Sequence, residues 1–403
     1  LKVLQLCIRI PDPPADGGAI AMRAMATSLM QAGAAVQILA FNTRKHFVDP
    51  GKTDPAFSRA TNLQAVYLDA TVSIIPAFLN LFSSESYNIT RFISAEFEKK
   101  LAALLQSGNF DVVQLESLFL APYVKTIRQH STARIVLRAH NVEYLIWQRM
   151  AGSCKSFIKR QYLRLLAEKL KNYEISMLNE YDAILPITRE DEAVLRNDGC
   201  TKPLLVTPLG LDPAKYSREN RDMKKFSLFH LGSMDWMPNV EAIDWFLTNV
   251  FPALEKKSDI TVYLAGKKMP AWIKHLGSRM LIVEDAISDA ISYMSDKTVM
   301  VVPLLSGSGM RVKILEGMAM GKAVISTSIG AEGIDCRHEE NILIADTPAE
   351  FVNWILACKN DPALVARIGD NAARLVSTRY DNSAIGRRVY EFYNRELVPY
   401  ALQ

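Results

Sequence analysis

Short apolar runs recur along this chain at the spacing of a parallel sheet, and they do so in two separate series. The first series is Val3–Ile8, Val36–Phe41, Val66–Leu68, Val112–Leu115, Ile135–Leu137 and Ala183–Pro186. Helical patterns lie between these runs, at Ala19–Gln31, Ile89–Leu105 and Phe157–Leu178. A run that does not alternate polar with apolar reads as a strand buried on both faces. Strand, helix-length crossover and strand again is the parallel βαβ unit. The series breaks near Val206. Thr207–Pro213 is turn chemistry, and Arg218–Lys225 is charged without periodicity. A second series then starts: Phe226–Leu231, Ile260–Ala265, Leu281–Val283, Val299–Pro303 and Ala323–Ser326, with helices over Asn239–Leu254 and Met310–Met320. From Pro348 onward the pattern is helical, with a break at Asn360-Asp361-Pro362.

The fold class is therefore α/β with two parallel-sheet domains. A length of 403 residues suits two cores. Ligands of such sheets sit outside the carboxyl ends of the strands, which puts the expected site in the cleft between the domains. The net charge of +4 is too small to argue for nucleic acid, and none is expected as a partner. The five cysteines lie far apart in sequence, which fits free thiols in a reducing compartment. No stretch reaches the roughly 18 apolar residues of a membrane span. The most apolar segment, Thr71–Phe82, is broken by Pro76 and Asn80. The start of the chain reads as a strand and shows no leader pattern, so a cytoplasmic protein is expected. The basic residues Lys155, Lys159, Arg160, Arg164, Lys169 and Lys171 form a solvated face or attract the inner face of a membrane.

The chemistry gathers at strand-to-helix junctions. After the run ending at Pro303 comes a small-residue loop with Ser308 and Gly309, then a helix from Met310. A helix N-terminus favours an anion. Arg311 and Lys313 lie in that first turn, where cations oppose the dipole unless an anionic ligand needs them. Glu316, further along, can accept hydrogen bonds from vicinal hydroxyls such as those of a ribose. A plain Gly-rich turn with surface cations is the bland alternative. A dinucleotide fingerprint would want Gly at 312, where Val312 stands, so a nicotinamide site is disfavoured. Gly17 and Gly18 open the first helix and offer backbone N–H groups to a phosphate or sugar. His140 follows directly on a strand, and Glu143 could cap the next helix. Gly232 begins the first turn of the second series and permits close backbone approach. Through Gly232–Asn239 it forms a wall for a ligand or a simple helix start.

These strings resemble the retaining glycosyltransferases of the GT-B fold, family 4 type. The match rests on Gly17-Gly18, Pro208-Leu-Gly-Leu-Asp212, Gly309-Met-Arg-Val-Lys-Ile-Leu-Glu-Gly-Met-Ala-Met-Gly321, Gly232–Asn239 and Gly330-Ala-Glu-Gly-Ile334. The resemblance implies two facing Rossmann-like domains and a last helix, about Ala384–Leu397, crossing back to the first. Residues 1–207 would bind acceptor, 208–383 donor, and 384–403 would return. It implies transfer of a sugar from a nucleoside-diphosphate donor, UDP- or GDP-linked, to a glycan or lipid-linked saccharide. Configuration would be retained, and no metal or other cofactor used. It places Glu316 on the ribose, Arg311 and Lys313 on the diphosphate, and His140 near the transferred sugar. Gly17, Gly18, Gly232, Ser308, Gly309 and Met310 would line the donor. Two positions depart from the family pattern. Ser308 stands where the first Glu of Glu-x7-Glu is expected, and Ser233-Met234-Asp235 where an Arg–Lys phosphate pair is usual. A nucleotide-sugar 2-epimerase and a non-catalytic nucleotide-sugar binder share the fold and stay open.

Overall fold

A computed structural model describes residues 1–14, 17–71, 80, 83, 85–154, 156–216, 225–257, 259–285, 287–307 and 310–398. The apolar segment 72–79 lies outside them, as do residues 81, 82, 84, 155 and 217–224, which hold most of the charged stretch Arg218–Lys225. The chain divides into two compact units, Leu1–Gly210 with Asn382–Gln403, and Leu211–Asp381. Both ends of the second unit are tied together, Leu211 N donating to Tyr380 O at 2.7 Å.

The first unit carries strands β1 (Lys2–Cys7), β2 (Ala35–Thr43), β3 (Gln64–Leu68), β4 (Val112–Leu115), β5 (Arg134–Ala139) and β6 (Ala183–Pro186). They form one parallel sheet in the order β3-β2-β1-β4-β5-β6. The second unit carries β7 (Ser227–Leu231), β8 (Thr261–Ala265), β9 (Leu281–Glu284), β10 (Val299–Val302), β11 (Ala323–Ser326) and β12 (Leu343–Ile344). Its order, β12-β11-β10-β7-β8-β9, is the same doubly wound arrangement. In each sheet the winding reverses beside the first strand, between β1 and β4 and between β7 and β10. Ligands of such sheets bind at that switch point.

Apolar packing explains why the runs were readable. In the first sheet Leu4, Leu6, Leu39, Val113, Leu115 and Ile135 face one core, while Val3, Cys7, Val36, Val112 and Val136 face the other. The second core is closed by the helix Gly17–Gln31 through Met22, Met25 and Leu29, and by Ile385, Val389, Tyr393 and Leu397 from the C-terminal segment. That segment, a helix Asn382–Phe392 followed by a wider turn Tyr393–Leu397, lies close on the first helix. A Cβ at Gly386 would fall 2.6 Å from Ser28 O.

Several boundaries differ from the sequence expectation. The helix expected over 89–105 is two, Tyr87–Thr90 and Ala95–Ser107, because Ser94 accepts from Phe97 N and caps the second. The one expected over 239–254 is Met237–Asn249 and Phe251–Lys257, broken before Pro252. β12 is two residues long, too short for its apolar run to stand out. Among the described residues no helix is long and apolar enough to cross a membrane. All five cysteines are free.

Candidate functional site

In the second unit the switch point is framed by the loops after β7 and β10. Ser308 and Gly309 lie outside the described residues. The helix after β10 is Val312–Ala319, so it starts later than the sequence suggested, and Met310 precedes it. Arg311 is its N-cap residue and not part of its first turn. Its guanidinium sits 5.1 Å from the ring centre of Trp236, which comes from the loop after β7. Gly307 makes this packing possible: its φ is +110°, and a Cβ there would lie 2.8 Å from Trp236 Cζ2. Trp236, Gly307 and Arg311 thus join the two loops.

Lys313 and Glu316 come together on one helix face. Lys313 Nζ donates to Glu316 Oε2 at 2.6 Å, and Tyr216 Oη donates to Glu316 Oε1 at 3.2 Å. Both carboxylate oxygens therefore hold a donor. Burial, with Glu316 beside it, pushes the Tyr216 phenol up, so Tyr216 stays a donor at neutral pH. Glu316 is 14% exposed and Lys313 45%, so the lysine can exchange its partner for one in solution. Gly232 has a packing role. A Cβ there would meet Asn239 Nδ2 at 2.7 Å, and Asn239 in turn donates to Ser233 O at 2.8 Å. Where the resembled family has its phosphate cations, Ser233 Oγ donates to Asp235 at 2.6 Å, and Lys268 from the loop after β8 reaches Asp235 at 3.1 Å.

In the first unit Gly17 and Gly18 begin the helix Gly17–Gln31, which has no acidic residue in its first turn. A Cβ at Gly17 would meet nothing within 4 Å, so packing inside this unit does not require glycine there. His140 stands one residue beyond β5. Its Nε2 is 2.7 Å from Glu116 Oε2, and its side chain is 16% exposed. Glu116 is fully buried and accepts four donors: Gln5 Nε2 at 2.7 Å, Gln114 Nε2, Arg138 Nη1 at 3.2 Å and His140. Burial alone would raise the Glu116 carboxyl, but Arg138 and His140 hold it below its ordinary value. Burial lowers His140, helped by Arg138 and Arg9 and opposed by Glu116, so the ring is neutral at neutral pH.

Glu143 does not cap the helix Glu143–Ser153, as its position had suggested. Glu174, on the long helix Phe157–Met177, does so instead: its oxygens accept from Glu143 N at 3.2 Å and Tyr144 N at 3.1 Å. Tyr144 Oη donates to Asp198 at 2.8 Å. Sequence reasoning also missed Tyr216 and Glu116. A signal for Glu116 was present, because Gln5, Gln114 and Arg138 are polar residues set inside strands that otherwise read as buried. Among the described residues no three His, Cys, Asp or Glu side chains gather as a metal site.

Residues 225–361 match the family model described as Glycosyl transferases group 1. This match spans β7 to β12 and includes the helix that carries Lys313 and Glu316. The chain has the GT-B fold, and its second unit carries a segment similar to that family. A relative from Klebsiella pneumoniae, an uncharacterized 44.6 kDa protein in the cps region, is 24% identical over 330 residues, covering 78% of this chain and 82% of its own length. Sucrose-phosphate synthase from Thermosynechococcus elongatus is similar in structure, with a TM-score of 0.70 at 17% identity over 98% of this chain and 99% of its own. HepE of Anabaena, solved in complex with UDP, has a TM-score of 0.67 at 15% identity over 97% of this chain and 99% of its own. HepE has also been solved with UDP-glucose.

Two acids at the start of the helix Glu143–Ser153 give a pH signature. Burial first, and then Asp191, raises Glu143 to about 7 despite Asn141. Burial, with Glu143 and Asp198, raises Glu174 to about 8 despite its two backbone donors. Both folded values exceed the ordinary 4.5, so the folded state holds extra protons between 4.5 and about 8. Stability is then highest at the acid end of that window and falls as pH rises through it. Urea midpoints measured from pH 5 to pH 8.5 are expected to decline, with a shallower decline in Glu174→Gln. Equal slopes in the two proteins would contradict the assignment.

Proposed function

We propose that this glycosyltransferase transfers a sugar from a UDP-sugar donor, held by the second unit, to a saccharide acceptor held by the first, with retention of anomeric configuration. The observation that carries this reading is the cluster at the second switch point: a helix N-terminus, Arg311, Lys313 and Glu316 within the segment that matches the family. The UDP and UDP-glucose complexes of HepE support the choice of nucleotide. Departure of the leaving group places negative charge on the diphosphate. Fixed cations and a helix N-terminus aimed at that charge lower the barrier most when water is excluded. Lys313 supplies such a cation once it exchanges Glu316 for phosphate, and Glu316 then turns to the ribose hydroxyls, with Tyr216 holding its other oxygen. On this reading the charge is met without a metal ion, and transfer survives EDTA.

Three substitutions test the reading. Lys313→Ala and Glu316→Ala are each expected to lower turnover of UDP-sugar by about 100-fold or more with the thermal midpoint little changed. Gly17→Ala fills open space, so stability is expected to hold or to rise by up to about 1 kcal/mol while turnover falls. NMR of the product would show the anomeric configuration of the donor. Wild-type turnover in both Lys313→Ala and Glu316→Ala would refute the site assignment, and an inverted product would refute retention.

A lipid-linked acceptor fits one surface of the first unit. Phe157 and Ile158 are 63% and 81% exposed at the start of the helix Phe157–Met177, and Met150 is exposed on the preceding helix. Lys159 and Arg164 share that surface region, a mix of apolar and basic groups that suits an anionic bilayer face. The chain is expected to float with phosphatidylglycerol vesicles and to stay behind with phosphatidylcholine ones, with Ile158→Glu lowering the floated fraction. Equal flotation of wild type and Ile158→Glu would remove this surface from the account.

A further inference from the structure

The hydrogen bonds at Glu116 continue away from His140. Gln5 and Gln114 are direct partners across β1 and β4. Arg138 is two residues beyond Val136, the partner of Gln114 on β5. Period-two alternation therefore puts Gln5, Gln114, Glu116, Arg138 and His140 on one sheet face. It is the face covered by Gly17–Gln31 and by the C-terminal segment. From that segment Tyr393, fully buried, donates its Oη to Gln114 Oε1 at 2.6 Å. Tyr393, Gln114, Glu116 and His140 form one chain of hydrogen bonds.

Chemistry fixes the direction of every bond in this chain. An ionised carboxylate only accepts, and two oxygens offer about four lone-pair sites. Glu116 Oε1 takes Gln5 and Gln114, and Oε2 takes Arg138 and His140. His140 must therefore contribute Nε2–H. A neutral imidazole protonated at Nε2 keeps Nδ1 as an acceptor. At the far end the Tyr393 hydroxyl sets the Gln114 amide: Oε1 faces the phenol, so the NH2 group faces Glu116. A flipped Gln114 would set a carbonyl oxygen against the carboxylate.

We propose that Glu116, backed by Gln114 and Tyr393, is a positioning residue that fixes His140 as its Nε2–H tautomer and so presents Nδ1 to accept a hydrogen bond from a hydroxyl of the bound saccharide. The saccharide rests on the transferase reading above, whereas the tautomer rests on the geometry alone. The C-terminal segment, which follows the second unit in the chain, thereby sets the state of a histidine at the first unit's sheet edge.

The experiment uses the full chain labelled with 15N-histidine. Its six histidines are resolved by two-bond 15N–1H spectra, and His140 is assigned through His140→Asn. The wild type is expected to show a single Nε2–H tautomer that becomes charged only below the ordinary histidine range. Groups facing the ring are Glu116, Arg138 and Arg9. In Glu116→Gln the amide can donate as well as accept, so mixed tautomers are expected, with titration moved lower because the neighbouring anion is gone. Tyr393→Phe, the milder variant, frees Gln114 to flip. It is expected to shift the tautomers part of the way and to lower kcat roughly tenfold with the donor KM little changed. A wild-type Nδ1–H tautomer, or unchanged tautomers in Tyr393→Phe, would overturn the proposal. Shifted tautomers with unchanged kcat would overturn the role of Nδ1 toward the saccharide. A wild-type chain that turns over no nucleotide sugar would count against the transferase reading, and the tautomer spectra, recorded without substrate, stand apart from it.

Discussion

A parallel sheet needs cover on both faces, and this requirement shapes both halves of the protein. The inner strands here are buried above and below, so their backbone bonds go to their neighbours and their side chains to two cores. Polar groups are then concentrated where strands end. The doubly wound order leaves one such end open beside the first strand of each sheet. Loops after β7 and β10, and His140 after β5, stand at these carboxyl ends. Both candidate regions thus follow from how the sheets bury themselves.

The two units handle charge in related ways. Glu116 is buried and tolerable only because four donors, one of them Arg138, converge on it. Glu316 is partly exposed and carries two, Lys313 and Tyr216. The first arrangement is saturated and rigid, suited to hold another group in place. The second contains an exposed lysine on a flexible stem, suited to change partners when an anion arrives.

The inner strands were legible because burial on both faces removes polar residues from them, and eleven of the twelve strands among the described residues were anticipated from their apolar runs. β12 was not, since two residues give no pattern. Helix starts were less legible. Arg311 reads as a first-turn residue until its packing on Trp236 places it at the N-cap. Lys313 and Glu316 lie on the helix after β10 and within one motif string, while His140 drew notice only by standing just past a strand. Gly232 read as ligand space, yet Asn239 fills that space from six residues away in a turn whose path the sequence does not state. Glu116, Tyr216 and Tyr393 act through contacts across strands or between distant segments, and register of that kind is set by packing of the whole unit. The interruption of buried strands by Gln5, Gln114 and Arg138 was a local sign of it.

The most direct test of the central claim is the thermal midpoint of the full chain with UDP, GDP, ADP or NAD, each in EDTA. A ligand at about 100 times its dissociation constant adds about 2.7 kcal/mol of stability. The account predicts a clear rise with UDP and none with NAD. A rise with NAD alone, or no rise with any nucleoside diphosphate, would contradict it.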